Sequence, residues 1–159
     1  MNTFFIADTH FDEDHIRIYE NRPFASVNEM NEAFISNWNK VVKPDDVVYH
    51  LGDVGNAEFI SSLNGIKYLV KGNHDTFDNG YYRNAGFKEV YDLPVIFGGF
   101  WMLSHEPLYV NTNMPYANIY GHVHGNPNYK DSSSHGFCAS AERIDYTPIT
   151  IEDIKKRLK

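Results

Sequence analysis

The sequence predicts an α/β fold in which two packed mixed β-sheets are flanked by helices. Three observations lead there. Over the first half, apolar runs of strand length alternate with helix-patterned segments in the order β-α-β-α-β. The second half is mainly β, opening with two strand-like runs joined at Gly98-Gly99. Finally, five of the apolar runs end in polar clusters, the place where open α/β sheets collect ligands.

The elements follow in order. Thr3–Ala7 is a short apolar run that stops at Asp8-Thr9-His10. Ser26 with Glu29 three residues on is a capping box, and Val27, Met30, Phe34, Trp38 and Val41 continue at helical steps, predicting a helix to Val42 before Pro44. Val47–Leu51 is a second strand, ending at Gly52-Asp53. Asn56 caps a short helix carrying Phe59, Ile60 and Leu63, with Asn64-Gly65 as its stop. Ile66–Val70 is a third strand, ending at Gly72-Asn73-His74-Asp75, and a short helix over Asn79–Ala85 closes at Gly86. Lys88–Phe97 and Phe100–Ser104 form the predicted hairpin. Asn118–Tyr120 leads into Gly121-His122-Val123-His124, and Phe137–Ala141 is a further strand. Thr150 caps a closing helix with Ile151, Ile154 and Leu158 on one face and cations at its end. Residues Asn111–Ser134, rich in Asn, Pro, Ser and Tyr, read as loop and as one wall of a cleft.

The 159 residues suit one domain spanning 1–159. Fourteen basic against twenty-one acidic residues leave a net charge of −7, which argues against a broad nucleic-acid-binding surface. One cysteine, Cys138, excludes an internal disulfide framework and suits a reducing compartment. No apolar run approaches the ~20 residues of a membrane span, and no basic-then-apolar leader opens the chain. A cytoplasmic protein is expected, a monomer or small homo-oligomer, with no membrane partner.

The clusters carry the chemistry: Asp8/His10, Asp53, Asn73/His74, His105 and His122/His124. Carboxylates, imidazoles and an amide without cysteine suit borderline divalent ions such as Mn, Fe or Zn. A carboxylate bridging two ions about 3.5–4 Å apart clamps a phosphoryl group and activates water. Singly, each piece has a plain structural reading: Asp8 and Asp53 as turn formers, Asn73 as a left-handed turn residue, His10 as a surface residue. Five together, each after a strand, make the ligand reading the stronger one.

Asp8-x-His10, Gly52-Asp53, Gly72-Asn73-His74-Asp75, Ser104-His105 and Gly121-His122-x-His124, in this order, resemble the signature of calcineurin-like metallophosphoesterases. Arg22-Pro23-Phe24, Asn37-Trp38-Asn39 and Val48–Asp53 are similar to the small prokaryotic and phage-type branch. The resemblance implies an α/β sandwich and a phosphoric ester hydrolase holding two divalent transition-metal ions, Mn first, with Fe, Zn or Ni as alternatives. It implies Asp8, His10, Asp53 and His124 around one ion, and Asp53, Asn73, His105 and His122 around the other, Asp53 bridging. A metal-bridging hydroxide would attack, and His74 would protonate the leaving oxygen.

The substrate implied is a small phosphodiester or phosphomonoester, such as a nucleotide, with Asn73, His15 and Arg22 as substrate-binding candidates. His15 also reads as a plain surface residue and Arg22 as a loop salt-bridge residue. His50 reads as buried structure or as a support behind the metal-bearing turn, His135 as exposed loop, and Asp75 as either an orienter of His74 or a loop residue. One departure stands out. The serine/threonine phosphatases of the superfamily follow Gly-Asp with Asp-Arg-Gly, whereas Gly52-Asp53 is followed by Val54-Gly55-Asn56. A non-catalytic metal-binding interaction module on the same fold is the alternative, and retention of all seven ligands with His74 favours the enzyme.

Overall fold

The computed structural model describes residues 1–111, 113–129 and 135–158. The strands are β1 (Thr3–Ile6), β2 (Val47–His50), β3 (Ile66–Val70), β4 (Phe87–Tyr91), β5 (Val95–Phe97), β6 (Trp101–Leu103), β7 (Ala117–Tyr120), β8 (Gly136–Cys138) and β9 (Ile149–Thr150). The helices are α1 (Asp14–Tyr19), α2 (Val27–Val41), α3 (Asn79–Ala85) and α4 (Ile151–Arg157). Two mixed sheets result, ordered β4-β3-β2-β1-β9 and β5-β6-β7-β8. In the first, β1 through β4 run parallel and β9 pairs antiparallel to β1; in the second, β6, β7 and β8 run parallel and β5 is antiparallel. The expected α/β architecture of two mixed sheets flanked by helices is the one observed.

Phe4, Phe5 and Ile6 are all buried, the continuous apolar pattern of a parallel strand covered on both faces. The two sheets share one core. Phe97 of β5 sets its ring edge-on to Phe5 of β1 at 5.7 Å and to Tyr49 of β2 at 5.6 Å. At the end that matters for the site, backbone bonds join the sheets directly: Ala7 N–H donates to Ala139 O (2.9 Å) and Ala141 N–H to Ala7 O (3.0 Å).

Helix α2 forms as the capping box predicts. The Ser26 hydroxyl accepts the Glu29 N–H at 3.1 Å, and the Glu29 carboxylate reaches back to the Ala25 N–H. Met30, Phe34 and Trp38, one turn apart, are buried, and the Trp38 indole N–H donates to Asn64 O at 2.9 Å. Asn31 is buried beside them for a polar reason. Its side chain accepts the Asp12 N–H (2.8 Å), so α2 anchors the loop after β1.

Three expectations are corrected. Lys88–Phe97 is not one strand: the chain breaks at Asp92–Pro94, where Pro94 has no N–H for a ladder, and β4 and β5 join different sheets. The Asn56-capped segment is a 3₁₀ turn, Ala57–Ser62, rather than an α-helix. The strand expected over Phe137–Ala141 stops at Cys138, because Ala141–Arg143 turn into 3₁₀ geometry. The loop Asn111–Ser134 falls partly outside the described residues, at 112 and 130–134, and His135 beside it is half-buried rather than exposed. Among the described residues, no helix is long and apolar enough to cross a membrane.

Trp38→Ala should cost about 3–5 kcal/mol, since it empties a fully buried site and deletes one hydrogen bond. Trp38→Phe, which keeps most of the apolar volume, should cost markedly less. Urea denaturation midpoints check both, and equal losses would mean that the indole bond, not the packing, dominates.

Candidate metal centre

The five polar clusters leave the C-terminal ends of β1, β2, β3, β6 and β7 and meet at one end of the two sheets. The loops after β1 and β2 run side by side beyond their strands. Asp8 N–H donates to Gly52 O (2.9 Å), His10 N–H to Asp53 O (3.1 Å) and Phe11 N–H to Val54 O (2.8 Å). Asp75 ties in the third loop, its carboxylate accepting the N–H groups of Gly72 (2.7 Å), Asp53 (2.7 Å) and Val54 (3.0 Å). Asp75 therefore clamps two loops together rather than orienting His74.

Glycines permit this approach. A Cβ on Gly52, whose φ is +101°, would lie 2.6 Å from both Gly72 N and His105 Nδ1, and one on Gly72 would lie 2.3 Å from Asp53 Oδ1. The ligand candidates themselves are strained. Asp8 (φ 60°), His10 (48°), Asp53 (59°), His122 (72°) and His124 (52°) all occupy the left-handed region. Each such residue costs on the order of 1–3 kcal/mol and persists only where its surroundings over-determine it.

Two donor groups result. Ligand atoms of Asp8, His10 and His124 lie within 4.8 Å of one another, as do those of Asp53, His105 and His122. Asp53 stands between the groups, its Oδ2 3.5 Å from His10 Nε2 and 3.3 Å from His105 Nε2. Asn73 Oδ1 joins the second group at 3.0 Å from His105 Nε2 and 3.2 Å from His122 Nδ1. His74, exposed at the rim, places its ring 5.6 Å from that of His10, and its backbone N–H donates to Asp53 Oδ1 (2.9 Å).

Three imidazoles are held by the same device. His10 gives Nδ1 to Glu13 (3.3 Å), His105 gives Nδ1 to Leu51 O (2.7 Å) and His124 gives Nδ1 to Glu142 (2.8 Å), so each turns Nε2 toward the centre. Asp8 is split likewise. Its Oδ2 accepts from Ser140 Oγ (2.6 Å) and from His122 N–H (2.8 Å), while the buried Oδ1 has no hydrogen-bond partner, nor has the buried His10 Nε2. Unpaired buried acceptors aimed at one point fit a cation, and the oxygen and nitrogen donor set fits a divalent transition ion.

Electrostatics agree. Burial would raise the Asp53 carboxyl, but His105, the His74 N–H and His10 outweigh it and hold it well below the usual carboxylate range. Burial would lower the His105 imidazolium, yet the hydrogen bond to Asp53 and the charges of Asp8 and Asp53 raise it to about 9. His50 behaves oppositely. Complete burial pushes it down to about 3, and it sits neutral, Nδ1 accepting the Gly52 N–H (3.1 Å) and Nε2 facing Thr9 Oγ1 (2.9 Å). It is buried structure, as expected.

The substrate-binding candidates diverge. Arg22 is corrected: it is buried, and its guanidinium is spent on Asp8 O (2.5 Å), Thr9 O (2.9 Å) and Glu142 (3.0 Å), bracing the first loop from beneath. His15 is 70% exposed and pairs with Glu13 at 3.3 Å. Residues that sequence reasoning missed are Glu13, Ser140 and Glu142. Glu13 follows His10 by three residues, a weak local signal; Ser140 and Glu142 lie too far along the chain to give any. The missing Asp-Arg-Gly element is not replaced from the same loop, since Val54 is buried and a Cβ on Gly55 would lie 2.3 Å from Phe11 N.

In metal-free protein His105 holds its proton up to about pH 9, so an ion must displace that proton to bind. Apparent metal affinity should therefore rise roughly tenfold per pH unit between pH 6 and 8, from this group alone. Competition with a chelating indicator across that range measures it, and a flat profile would contradict ligation by His105.

Comparison with known proteins places the chain. A model of the calcineurin-like phosphoesterases matches residues 1–157. The uncharacterized protein MJ1445 of Methanocaldococcus jannaschii is 33% identical over 171 residues, covering 98% of this chain and 90% of that protein. The gene 66 protein of Mycobacterium phage L5 is 36% identical over 84 residues, 46% of this chain and 40% of that one. The crystal structure of a protein of unknown function from Aquifex aeolicus, AQ665, superposes with a TM-score of 0.77 at 29% identity over 98% of both chains. The nuclease MPE of Pseudomonas putida shares the fold, with a TM-score of 0.52 at 21% identity over 77% of this chain and 61% of that one. Matched over nearly its whole length, this chain belongs to the calcineurin-like phosphoesterase family.

Proposed function

We propose that the protein is a dinuclear metal-dependent phosphoesterase hydrolysing a small phosphodiester or phosphomonoester. The observation that carries this reading is the pair of donor groups with Asp53 standing between them, one group with two buried acceptors left unpaired. Asp8, His10, Asp53 and His124 would hold one ion, and Asp53, Asn73, His105 and His122 the other. The donor set suits a borderline divalent ion such as Mn, Fe or Zn, and the family resemblance favours Mn, with Fe, Zn or Ni as alternatives. When bound, such ions neutralise phosphoryl oxygens and acidify water.

The chain's own residues do the rest. Asp53, kept ionised, supplies the charge common to both groups. Glu13, Leu51 O and Glu142 fix the tautomers of His10, His105 and His124, so these three rings need not turn when a substrate arrives. His74 lies at the rim with its ring exposed, its backbone pinned to Asp53. In this position it delivers a proton to the departing alkoxide, and His15 faces the incoming ester.

His74→Ala should retain the ions and lose roughly 10²- to 10⁴-fold in rate on alkyl esters. The loss should shrink for nitrophenyl esters, whose leaving group needs no proton. Metal content together with kcat/KM over a leaving-group series reads both properties, and a defect independent of leaving group would remove His74 from proton transfer. With no Arg beside Gly52-Asp53, a generic phosphodiester should be a better substrate than a phosphoserine peptide. Matched kcat/KM values decide this, and peptide preference would require another phosphate-gripping cation.

A further inference from the structure

Beside the donor groups opens a cleft of about 650 Å³, large enough for a nucleoside. His122 and His124 lie at one side of it, and Glu142 lines it next to them. One wall is the end of α1 and its turn, Tyr19, Glu20 and Asn21; the other is the loop from Val123 to Tyr129. We propose that this cleft is a nucleobase subsite for the ester, with Glu20 and Glu142 accepting N–H donors and Tyr19 and Tyr129 supplying stacking faces. The proposal deepens the phosphoesterase reading and rests on it.

Four observations carry it. Glu142 has a side chain only 8% exposed, yet its Oε1 has no hydrogen-bond partner, although Oε2 takes both Arg22 and His124. An acceptor buried without a partner is costly, and a ligand donor would relieve it. Glu20 brings a second carboxylate to the same place, one oxygen each of Glu20 and Glu142 and a ring nitrogen of His124 lying within 4.8 Å of one another. A donor-bearing edge set there would lie against both carboxylates.

The walls are aromatic and open. Tyr19 is 83% exposed and Tyr129 54%, and each base has a π-face to offer them. The outer wall is built rather than slack. Arg143 donates to His124 O (2.6 Å), to Asn126 O (3.1 Å) and to Tyr129 O, stapling the loop with donors that consequently do not face the cleft.

Charge then selects the occupant. Among the described residues lining the cleft there is no Lys or Arg, but there are two carboxylates. A second phosphate would be repelled, so the group held here is the unphosphorylated side of a single ester. An ionised carboxylate accepts and does not donate. Guanine, with adjacent N1–H and N2–H₂ donors, fits them; thymine, whose N3–H is flanked by two carbonyls, fits poorly. A third metal ion is the competing occupant. Both nitrogens of His124 are already directed, Nδ1 to Glu142 and Nε2 to Asp8, leaving two carboxylates, fewer ligands than a tetrahedral ion needs.

The test uses Mn-loaded protein and three probes: the 4-nitrophenyl esters of guanosine 5′-phosphate and thymidine 5′-phosphate, and methyl 4-nitrophenyl phosphate. The guanosine ester should exceed the methyl ester in kcat/KM by more than tenfold, mostly through KM, and the thymidine ester by less. Glu20→Gln should collapse the guanosine-to-methyl ratio toward one, and Tyr129→Ala should lower it for both nucleosides. Binding of guanosine alone, followed by tyrosine fluorescence, reads the subsite without turnover. Hydrolysis of all three probes at equal efficiency, or three ions per chain where Glu20→Gln loses one, would overturn the subsite while leaving the phosphoesterase intact. Failure to hydrolyse any probe, with guanosine still bound, would defeat the phosphoesterase reading instead.

Discussion

Everything at the strand ends depends on the loops after β2 and β3 passing in backbone contact. Gly52 and Gly72 leave no room for a Cβ between them, and the Asp75 carboxylate accepts N–H groups from both sides of the contact. Asp53 can then turn back toward two imidazole groups in a left-handed conformation that an isolated chain would avoid. Any side chain inserted here would separate the loops and with them the halves of the site. The ligands are the visible part of the centre; the contact beneath them is its foundation.

The centre is asymmetric in how it is supported. His10, His105 and His124 each spend Nδ1 on a protein acceptor, but His122 faces Asn73 and His105 with Nδ1 and is itself exposed. Asp8, Asp53, His10 and His105 are buried, whereas Asn73, His74 and His122 form the open side. Rigidity lies toward the sheets and adaptability toward solvent, the side on which the centre is open.

What the sequence disclosed was local. The strand-end clusters and the Ser26–Glu29 cap are short patterns with a mechanism of their own, and the structure contains them where the patterns lie. Helix α1 left no signal because it buries none of its residues, Ile18 and Tyr19 pointing outward, so no apolar period exists to read. Strand β9 is two residues long, and the change of sheet at Pro94 is decided by partners rather than by the segment itself. Arg22 illustrates the same limit at the site. Its partner Glu142 lies 120 residues away, and only the fold shows that its guanidinium supports Asp8 from below.

The candidate ligands come from both sheets: Asp8, His10, Asp53 and Asn73 from the first, His105, His122 and His124 from the second. Ions seated among them would add cross-links between layers that already meet through packing, the Ala7 bridge and the bonds of Asp8 to Ser140 and His122. Occupancy and folding are then one equilibrium. Free metal at a hundredfold excess over its Kd adds about 2.7 kcal/mol of stability, while in an empty chain the strained turns are held by the loop contacts alone. In a metal-starved cell the empty chains would open more often and be degraded first. The amount of protein, and not only its activity, would follow the metal supply.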